Sequence, residues 1–420
     1  MNMSKETRQI VCILTFLNIL AFINRYITAS TLSFIEQDLH LNDTQGGFII
    51  SSFVLIYSLS SPLFGIIGDR YPRKPLIFVS SFLWSAATFL SSFVHSWWSL
   101  LLLRGLMGLA ESAFLNLAPS IIDERVSEQK KARAFGFFYL AIYVGAALGY
   151  ILGGSLSFHG DWRNAYFWTG LISFPFGIIS LKLKEKPSIQ NFTHQIRQKT
   201  KLTWAEFWGI QKKLLQNIPF TATILGFTAW TIVVPAFSNW APTFMYRELS
   251  IDLNEGSIYL GAATVISGVL GTLVGSYWSD HWSKSNFRAP LLVCAFSTIP
   301  AALCLTGLLL TNSPHLFWIY TTIALFFLSL STGPVNVVIM GSVPFEYRTS
   351  AMALSIFVCH WLGDIHSPAL VGFLSDHVGL KVALLFLPFI LIFGTLLWIY
   401  GAYQMKGQTK EGAHSEAYAH

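Results

Sequence analysis

Long apolar segments recur along the whole chain, separated by short polar stretches. A helix needs about 20 mainly apolar residues to cross the hydrocarbon layer of a bilayer, and twelve segments of this kind can be read from the hydrophobic pattern. They lie at about residues 10–33, 45–68, 75–95, 98–120, 133–157, 163–182, 218–244, 255–279, 288–311, 313–341, 349–374 and 380–404. The pattern therefore predicts an all-α membrane protein with twelve transmembrane helices.

Composition excludes an ordinary soluble domain. Hydrophobic residues make up 53% of the chain and charged residues only 11%, whereas about a quarter of the residues in a soluble domain are charged. The cysteines all lie inside apolar segments, without the spacing of a metal site or a disulfide framework. They are Cys12, Cys294, Cys304 and Cys359. We expect no metal, no cofactor and no catalytic centre, because the usual motifs for these are missing from the sequence.

Lysine and arginine residues collect in the loops on one side of the predicted bundle. The chain holds 27 of them, and the loops on the other side contain only Arg163, Arg247 and Lys381. Loops rich in these residues stay in the cytoplasm, so we expect both termini to be cytoplasmic, in a plasma membrane or a bacterial inner membrane. The net charge of +6 follows from this orientation, and it requires no nucleic-acid partner.

The longest connection divides the spans into two groups of six. We predict a first half at residues 1–182, a basic cytoplasmic linker at 183–217, a second half at 218–404 and a cytoplasmic tail at 405–420. The linker is either a plain tether or an amphipathic segment on the membrane surface. Glycine-rich patterns recur at matching places in both halves, which is typical of transporters with a site between two pseudo-symmetric repeats. One chain would then be the transport unit, and we expect a monomer surrounded by membrane lipids.

The fourth predicted span carries two full charges, Arg104 and Glu111. Charges inside a bilayer are costly and usually face a protein interior or a water-filled cavity. Seven residues correspond to two helical turns, so both side chains share one face of the helix. The pattern indicates a charged, solvated path through the bundle.

Two residues of the first span, Asn24 and Arg25, are candidate contacts for a substrate. A guanidinium donates two parallel hydrogen bonds to a phosphate or carboxylate, and Asn24 would add a neutral one. The alternative is that Arg25 only pairs with Glu111. Burial disfavours the charged form of a carboxylate and a nearby arginine favours it, so Glu111 is a candidate proton carrier, with a permanent structural ion pair as the alternative.

The second half offers His360 and Asp364, four residues apart on one helix face. They form either a titrating pair for proton coupling or a fixed structural pair beside Pro368. Two aromatic residues, Tyr143 and Trp361, are weaker candidates for substrate contact. Glycines at steps of four in the fifth span predict close helix packing, with a hinge as the alternative. They are Gly145, Gly149 and Gly153.

The loop after the second span contains the pattern Gly-x-x-x-Asp-Arg-x-x-Arg-Lys, and it resembles the signature loop of the major facilitator superfamily. Its residues are Gly65, Asp69, Arg70, Arg73 and Lys74, with Pro72 where that family usually has Gly. Here the glycine would let helices touch, while the aspartate pairs with Arg73 and caps a helix N-terminus. The resemblance implies the major facilitator fold and a cytoplasmic gate. The alternative is that the basic residues only fix the orientation in the membrane.

Three further blocks resemble the spinster family within that superfamily. They are Arg104–Ser112 with the glycines of the fifth span, Asn239–Pro242, and the most specific of them, His360–Gly372. Known members move amphipathic lipids with one polar head, such as lysophospholipids and sphingosine phosphates, so the resemblance implies a cargo of that class. The family also places an acidic residue before the arginine of the first span, where this chain has Asn24.

These observations lead to one hypothesis with three alternatives. We expect a secondary active transporter that works by alternating access, moves an amphipathic lipid-like anion and couples this movement to protons through Glu111. A small organic-anion symporter or drug exporter of the same superfamily would share the gate motif. An uncoupled facilitator fits Asn24, and the alternative outside transport is a membrane ligand sensor. The sequence does not favour an enzyme.

Overall fold

The computed structural model describes residues 5–157, 160–183, 204–343 and 347–405. Helices of the first half are α1 (Lys5–Asp38), α2 (Asp43–Arg70), α3 (Arg73–Ser91), α4 (Trp97–Arg125), α5 (Glu128–Leu156) and α6 (Arg163–Ile179). After α7 (Trp204–Gln216), the second half contains α8 (Ile218–Glu248), α9 (Leu253–Ser283), α10 (Ala289–Leu310), α11 (Pro314–Ser329), α12 (Thr332–Gly341), α13 (Arg348–Cys359), α14 (Ser367–Val378) and α15 (Leu380–Gln404).

The helices confirm the fold class. Among the described residues, ten stretches are long and apolar enough to cross a membrane. The two remaining predicted spans are α6, which has 17 residues, and the pair α13 and α14, which a π-helical segment at His360–Asp364 divides. Together they give the twelve crossings that the hydrophobic pattern predicts.

Two spans predicted as single helices are interrupted. Proline has no N–H group to donate to the carbonyl oxygen four residues earlier, so it interrupts the hydrogen bonds of a helix. Pro368 stands in the first turn of α14, directly after the π segment. Pro334 similarly stands in the first turn of α12, and the preceding residues Leu330 and Ser331 separate α11 from α12.

The predicted linker contains the helix α7. Its Leu214 is buried against the second half, whereas Trp208 is exposed. The other parts of the predicted linker, and the predicted tail after Met405, lie outside the described residues.

The two halves repeat the same packing. In the first half α2 packs on α4 and α3 on α6, and in the second half α9 packs on α11 and α10 on α15 in the corresponding way. Between the halves, α1 contacts α8, α5 contacts α9, and α2 contacts α14. The pair α1 and α8 joins the first spans of the two halves. The pairs α5–α9 and α2–α14 each join the fifth span of one half to the second span of the other, as expected for a pseudo-two-fold arrangement.

Glycines hold α5 close to α1. A Cβ atom at Gly145 would lie 2.5 Å from the Cβ of Phe22, and one at Gly149 would lie 2.7 Å from the Cβ of Tyr26. Gly153 meets Ile27 and Ser30 in the same way. Small residues allow this approach of backbones inside a membrane, and it fixes the rotation of α1 about its axis. The Arg25 side chain owes its position to that contact.

Candidate functional site

An ion pair lies in the middle of the first half. Arg25 of α1 donates from Nη2 to Oε2 of Glu111 on α4 over 3.2 Å. The Glu111 side chain is fully buried, whereas 27% of the Arg25 side chain is exposed. The sequence places both residues near the centres of their helices, so the pair lies deep in the membrane and one end of it reaches an accessible interior.

Aromatic rings surround the Arg25 guanidinium. Its Cζ atom lies 4.4 Å from the ring centre of Phe53, 4.9 Å from that of Phe22 and 5.3 Å from that of Tyr57. The faces of aromatic rings attract cations, and this attraction is strongest away from water. The rings therefore stabilise a charge that pairs with the Glu111 carboxylate. Phe22, Phe53 and Tyr57 are not distinctive in the sequence, because rings are common throughout this chain.

Arg104 and Asn24 are packed inside the first half. Arg104 is buried and donates to the carbonyl oxygen of Asn24 at 3.3 Å. The Asn24 side chain is completely buried and donates to Ser173 Oγ on α6 at 3.1 Å. In this conformation the Asn24 amide is bound to α6, and a role for Asn24 in substrate contact stays a prediction.

The second half contributes a pair at the same depth. His360 Nδ1 lies 2.9 Å and 3.0 Å from the two carboxylate oxygens of Asp364. Both residues belong to the π segment that divides the eleventh span, and π segments inside helices often occur at functional sites. The His360 ring meets Tyr57 edge to face, with 6.2 Å between ring centres. Tyr57 therefore contacts both Arg25 of the first half and His360 of the second.

The two weaker aromatic candidates lie in different settings. The Tyr143 hydroxyl is 2.9 Å from Thr272 Oγ1 and its ring packs on Gly268 of α9, so it joins α5 to α9 across the two halves. Trp361 is partly buried, with its ring centre 5.7 Å from that of Phe357. A role for either residue in substrate binding stays a prediction.

An ionic network joins the halves at one end of the bundle. The end of α1 and the start of α2 lie here, and we call this end of the bundle the opposite face. The other end carries Lys5 and the α2–α3 turn, and we call it the basic face. Arg247 of α8 donates to Glu36 Oε2 at 2.5 Å and to Asp43 Oδ1 at 2.7 Å. Asp376 of α14 accepts from the backbone N–H groups of Asp43 and Thr44 at 2.9 Å and 3.0 Å.

Sequence analysis missed this network, although Arg247 was visible as one of only three basic residues on its side. Backbone contacts reinforce it, since a Cβ atom at Gly47 would lie 2.5 Å from the carbonyl oxygen of Pro368. A carboxylate at the first backbone N–H groups of a helix also suits the helix dipole. The opposite face is therefore closed by charge, hydrogen bonds and packing together.

The predicted gate loop lies at the basic face, and the described contacts of Arg73 in this loop are with the first half. A Cβ atom at Gly65 would meet nothing within 4 Å, so the expected helix contact at Gly65 is not present in this conformation. Arg73 pairs with Glu124 of α4 at 2.6 Å and donates to the carbonyl oxygen of Gly68. The side chains of Asp69 and Arg70 lie outside the described part of the structure. The ion pairs that the structure describes at this face all lie within the first half.

Known proteins share both the fold and the sequence pattern. The family model described as "Major Facilitator Superfamily" matches residues 14–367. The chain is 33% identical to protein spinster homolog 1 of Xenopus tropicalis over 390 residues, which cover 88% of this chain and 73% of that protein. It is 30% identical to protein spinster homolog 3 of Danio rerio over 434 residues, covering 95% and 86%.

A solved structure agrees at the level of the fold. It is that of a bacterial homolog of the human lysosomal transporter spinster in an inward-facing and occupied conformation. Its TM-score is 0.82 at 17% identity, and the match covers 96% of this chain and 98% of that one. With two six-helix halves and charged pairs between them, the chain is a transporter of the major facilitator superfamily and not an enzyme. Within that superfamily it belongs to the spinster family.

We predict that Arg247→Gln shifts the protein toward states that are open at the opposite face. The change leaves Glu36 buried without its cation, and removing one partner of a buried pair costs about 3–5 kcal/mol. Spin labels at Gln37→Cys and Asn312→Cys, in a chain whose native cysteines are replaced by alanine, report the separation of the halves by electron–electron resonance. We expect the longer-distance population to rise about tenfold or more, since 1.4 kcal/mol already gives tenfold.

The matched control is Arg163→Gln on the same face. Arg163 pairs with Asp38 inside the first half, so its loss should leave the distance distribution unchanged. Identical distributions for Arg247→Gln and the unsubstituted protein would show that the network does not hold the two halves together.

Proposed function

We propose that the protein transports an amphipathic anion, with one polar head, by alternating access between its two halves. The observation that carries the proposal is the unequal burial of the central pair. Arg25 is partly exposed and uses one nitrogen on Glu111, while Glu111 is fully buried behind it. A guanidinium has five N–H donors in a planar fork, so Arg25 retains donors that a phosphate or carboxylate head can take.

The surroundings of Arg25 suit an amphipathic ligand better than a wholly polar one. Rings of Phe22, Phe53 and Tyr57 flank the cation, so a head group on Arg25 would have apolar surface directly beside it. The spinster relatives support a cargo of lysophospholipid or sphingoid phosphate type through the family resemblance. Both lines of support concern the class of ligand and not one compound.

Proton coupling would run through Glu111. Within the described residues, Glu111 Oε1 is buried and has no hydrogen-bond partner, so Arg25 is the direct partner that keeps the carboxylate charged, with the buried Arg104 as a second nearby cation. An anion that draws Arg25 away leaves Glu111 more stable in its protonated form, because an unpaired buried charge is costly. Binding of the anion and of a proton would then favour each other.

Two residues bear on this coupling. Asn24 stands where the family usually has an acidic residue, cannot titrate, and is packed against Ser173. The His360–Asp364 pair lies across Tyr57 from Arg25 and is the second group that we assign to proton movement. If that assignment failed together with Glu111, an uncoupled facilitator would be the better description.

We further propose that both termini are cytoplasmic, that the opposite face is extracellular, and that the described state is closed to the outside. In this orientation the network around Arg247 is the outer gate. The loop with Gly65, Asp69, Arg70 and Arg73 would close the cytoplasmic side in the other state. One chain contains both halves of the site, so a monomer suffices for transport.

Binding of the head group by Arg25 is tested with the purified protein. We expect a lysophospholipid or sphingosine phosphate to raise the thermal unfolding temperature, because a ligand at 100 times its Kd stabilises by about 2.7 kcal/mol. Arg25→Gln should weaken binding about tenfold to a hundredfold, since a hydrogen bond to a charged group contributes about 1.5–3 kcal/mol. Arg288→Gln at the basic face is the control and should bind like the unsubstituted protein.

Two outcomes would overturn this assignment. Equal stabilisation by small carboxylates would favour a small organic-anion transporter, and unchanged lysolipid binding in Arg25→Gln would remove Arg25 from the site. If Arg25→Gln does not fold because Glu111 is left unpaired, the double variant Arg25→Gln/Glu111→Gln removes that charge and keeps the measurement possible.

Coupling through Glu111 is tested in liposomes. We expect Glu111→Gln to abolish the dependence of lysolipid transport on an imposed pH gradient, because glutamine cannot carry a proton. Glu124→Gln is the control, since Glu124 pairs with Arg73 outside the centre of the bundle, and it should keep the dependence. If the pH dependence survives in Glu111→Gln, the carrier is another group or transport is uncoupled.

A further inference from the structure

A cavity of about 730 Å³ lies on the outside of the second half, at the basic end of α9 and α10. We name it the tryptophan pocket. Its lining residues are Trp278, His281, Trp282, Lys284, Ser285 and Phe296. The principal neighbours of α10 all belong to the second half, so the pocket is separate from the Arg25–Glu111 site in the first half.

The walls of the pocket are a set of nearly parallel rings. Trp278 and Trp282 have ring centres 6.2 Å apart at an angle of 10°, and Trp282 and Phe296 have centres 6.1 Å apart at 18°. Trp278 and Phe296 are also exposed on the outer surface. Tryptophan is enriched where the hydrocarbon layer meets the head groups, and flat rings offer a surface along which an acyl chain can lie.

The mouth of the pocket is polar and positive. His281, Lys284 and Ser285 lie at the end of α9, and the exposed Lys284 has no carboxylate partner among the described residues. The nearest acidic side chain in sequence is Asp280. It stands two residues from both Trp278 and Trp282, so it faces away from the rings, and four residues before Lys284, with which it forms no ion pair within the described part of the chain.

The polar and apolar parts are arranged along the membrane normal. Six residues separate Trp278 from Lys284, which is about 9 Å along a helix at 1.5 Å per residue. By the same rise per residue, Phe296 lies about 10 Å along α10 from its first residue. The pocket thus has a cation at the level of the head groups and tryptophan rings about 3 Å and about 9 Å deeper along the helix, which is the order of groups in a phospholipid.

We propose that the tryptophan pocket binds an anionic phospholipid of the surrounding bilayer, with the phosphate at Lys284 and one acyl chain along Trp278, Trp282 and Phe296. A bilayer lipid is the occupant that the charge favours, because a lysine at the membrane surface attracts anionic lipids. The site joins the ends of α9 and α10, and α9 also contacts α5 of the first half. A lipid held here acts on a helix that packs across the two halves.

The proposal is tested by binding of dioleoylphosphatidylglycerol to the purified protein in detergent, followed by native mass spectrometry and thermal unfolding. We expect this lipid to bind and to raise the unfolding temperature, and dioleoylphosphatidylcholine to do so much less. Lys284→Gln should weaken the apparent affinity about fivefold, the equivalent of one lysine at the membrane surface. Trp282→Ala should weaken it as well, because it removes the central ring.

Matched controls separate the pocket from general lipid contact. Lys381→Gln removes a lysine at the opposite face, and Trp98→Ala removes an exposed tryptophan there, so both should bind the lipid normally. Glycerol phosphate without acyl chains should not stabilise the protein. If Trp282→Ala fails to fold, the exposed Lys284→Gln still decides the outcome.

Three results would overturn the proposal: equal binding of the choline lipid, equal effects of the pocket and control variants, or full stabilisation by glycerol phosphate alone. None of these depends on the transported substrate, so failure here is distinct from failure of the proposed transport function.

Discussion

The ion pair between Arg25 and Glu111 holds two charges at the centre of a membrane-spanning bundle, where an isolated charge is costly. This cost constrains the structure around it. Glycines of α5 hold α1 in one rotation about its axis. Rings of α1 and α2 surround the Arg25 guanidinium. Arg104 donates a hydrogen bond to the backbone of α1 at Asn24. The result is a carboxylate sealed from solvent and a guanidinium with one accessible side.

The same constraint explains why the two halves meet where they do. At mid-membrane they touch through rings, with Tyr57 between Arg25 and His360, and such contacts can separate without leaving a charge unpaired. At the opposite face they are joined by ion pairs of Arg247 with Glu36 and Asp43. Charged contacts near the membrane surface can exchange partners for water when they open. A rocking motion of the halves is therefore least costly when the ionic contacts lie near the membrane surface and the ring contacts lie in the middle of the bundle.

Much of this arrangement could be predicted from sequence. Hydrophobic periodicity is local, and it predicts the number of spans and the division into halves; the charges in the first and fourth spans indicate the central site. The pairing of Arg25 with Glu111 remained one alternative among several, because 86 residues separate them along the chain and helix rotation decides whether they meet. The role of Asn24 depends on the same rotation, since adjacent residues of a helix point about 100° apart.

Other features depend on contacts that a single segment does not encode. Pro368 predicts a kink in the eleventh span. The π-helical turn before it places His360 opposite Tyr57 only when α13 and α14 are packed in the bundle. Arg247, Asp43 and Asp376 come from three separate spans, and only their spatial neighbours show that they form one network. Closed and open forms of the gate loop also share one sequence, so Gly65 can be free of contacts here and packed in another state.

The central claim of the proposed mechanism is that an anion that binds Arg25 draws it away from Glu111 and thereby favours protonation of Glu111. The most direct measurement is the number of protons taken up when lysophosphatidylglycerol binds, from titration calorimetry in buffers of different ionisation enthalpy near neutral pH. This ligand keeps a single charge there because its phosphate is a diester. We expect net proton uptake, at most one proton per bound ligand, by the unsubstituted protein and none by Glu111→Gln, since binding favours the neutral carboxyl when its cation is drawn away. Tight binding without proton uptake in the unsubstituted protein, or the same uptake in both proteins, would contradict that claim.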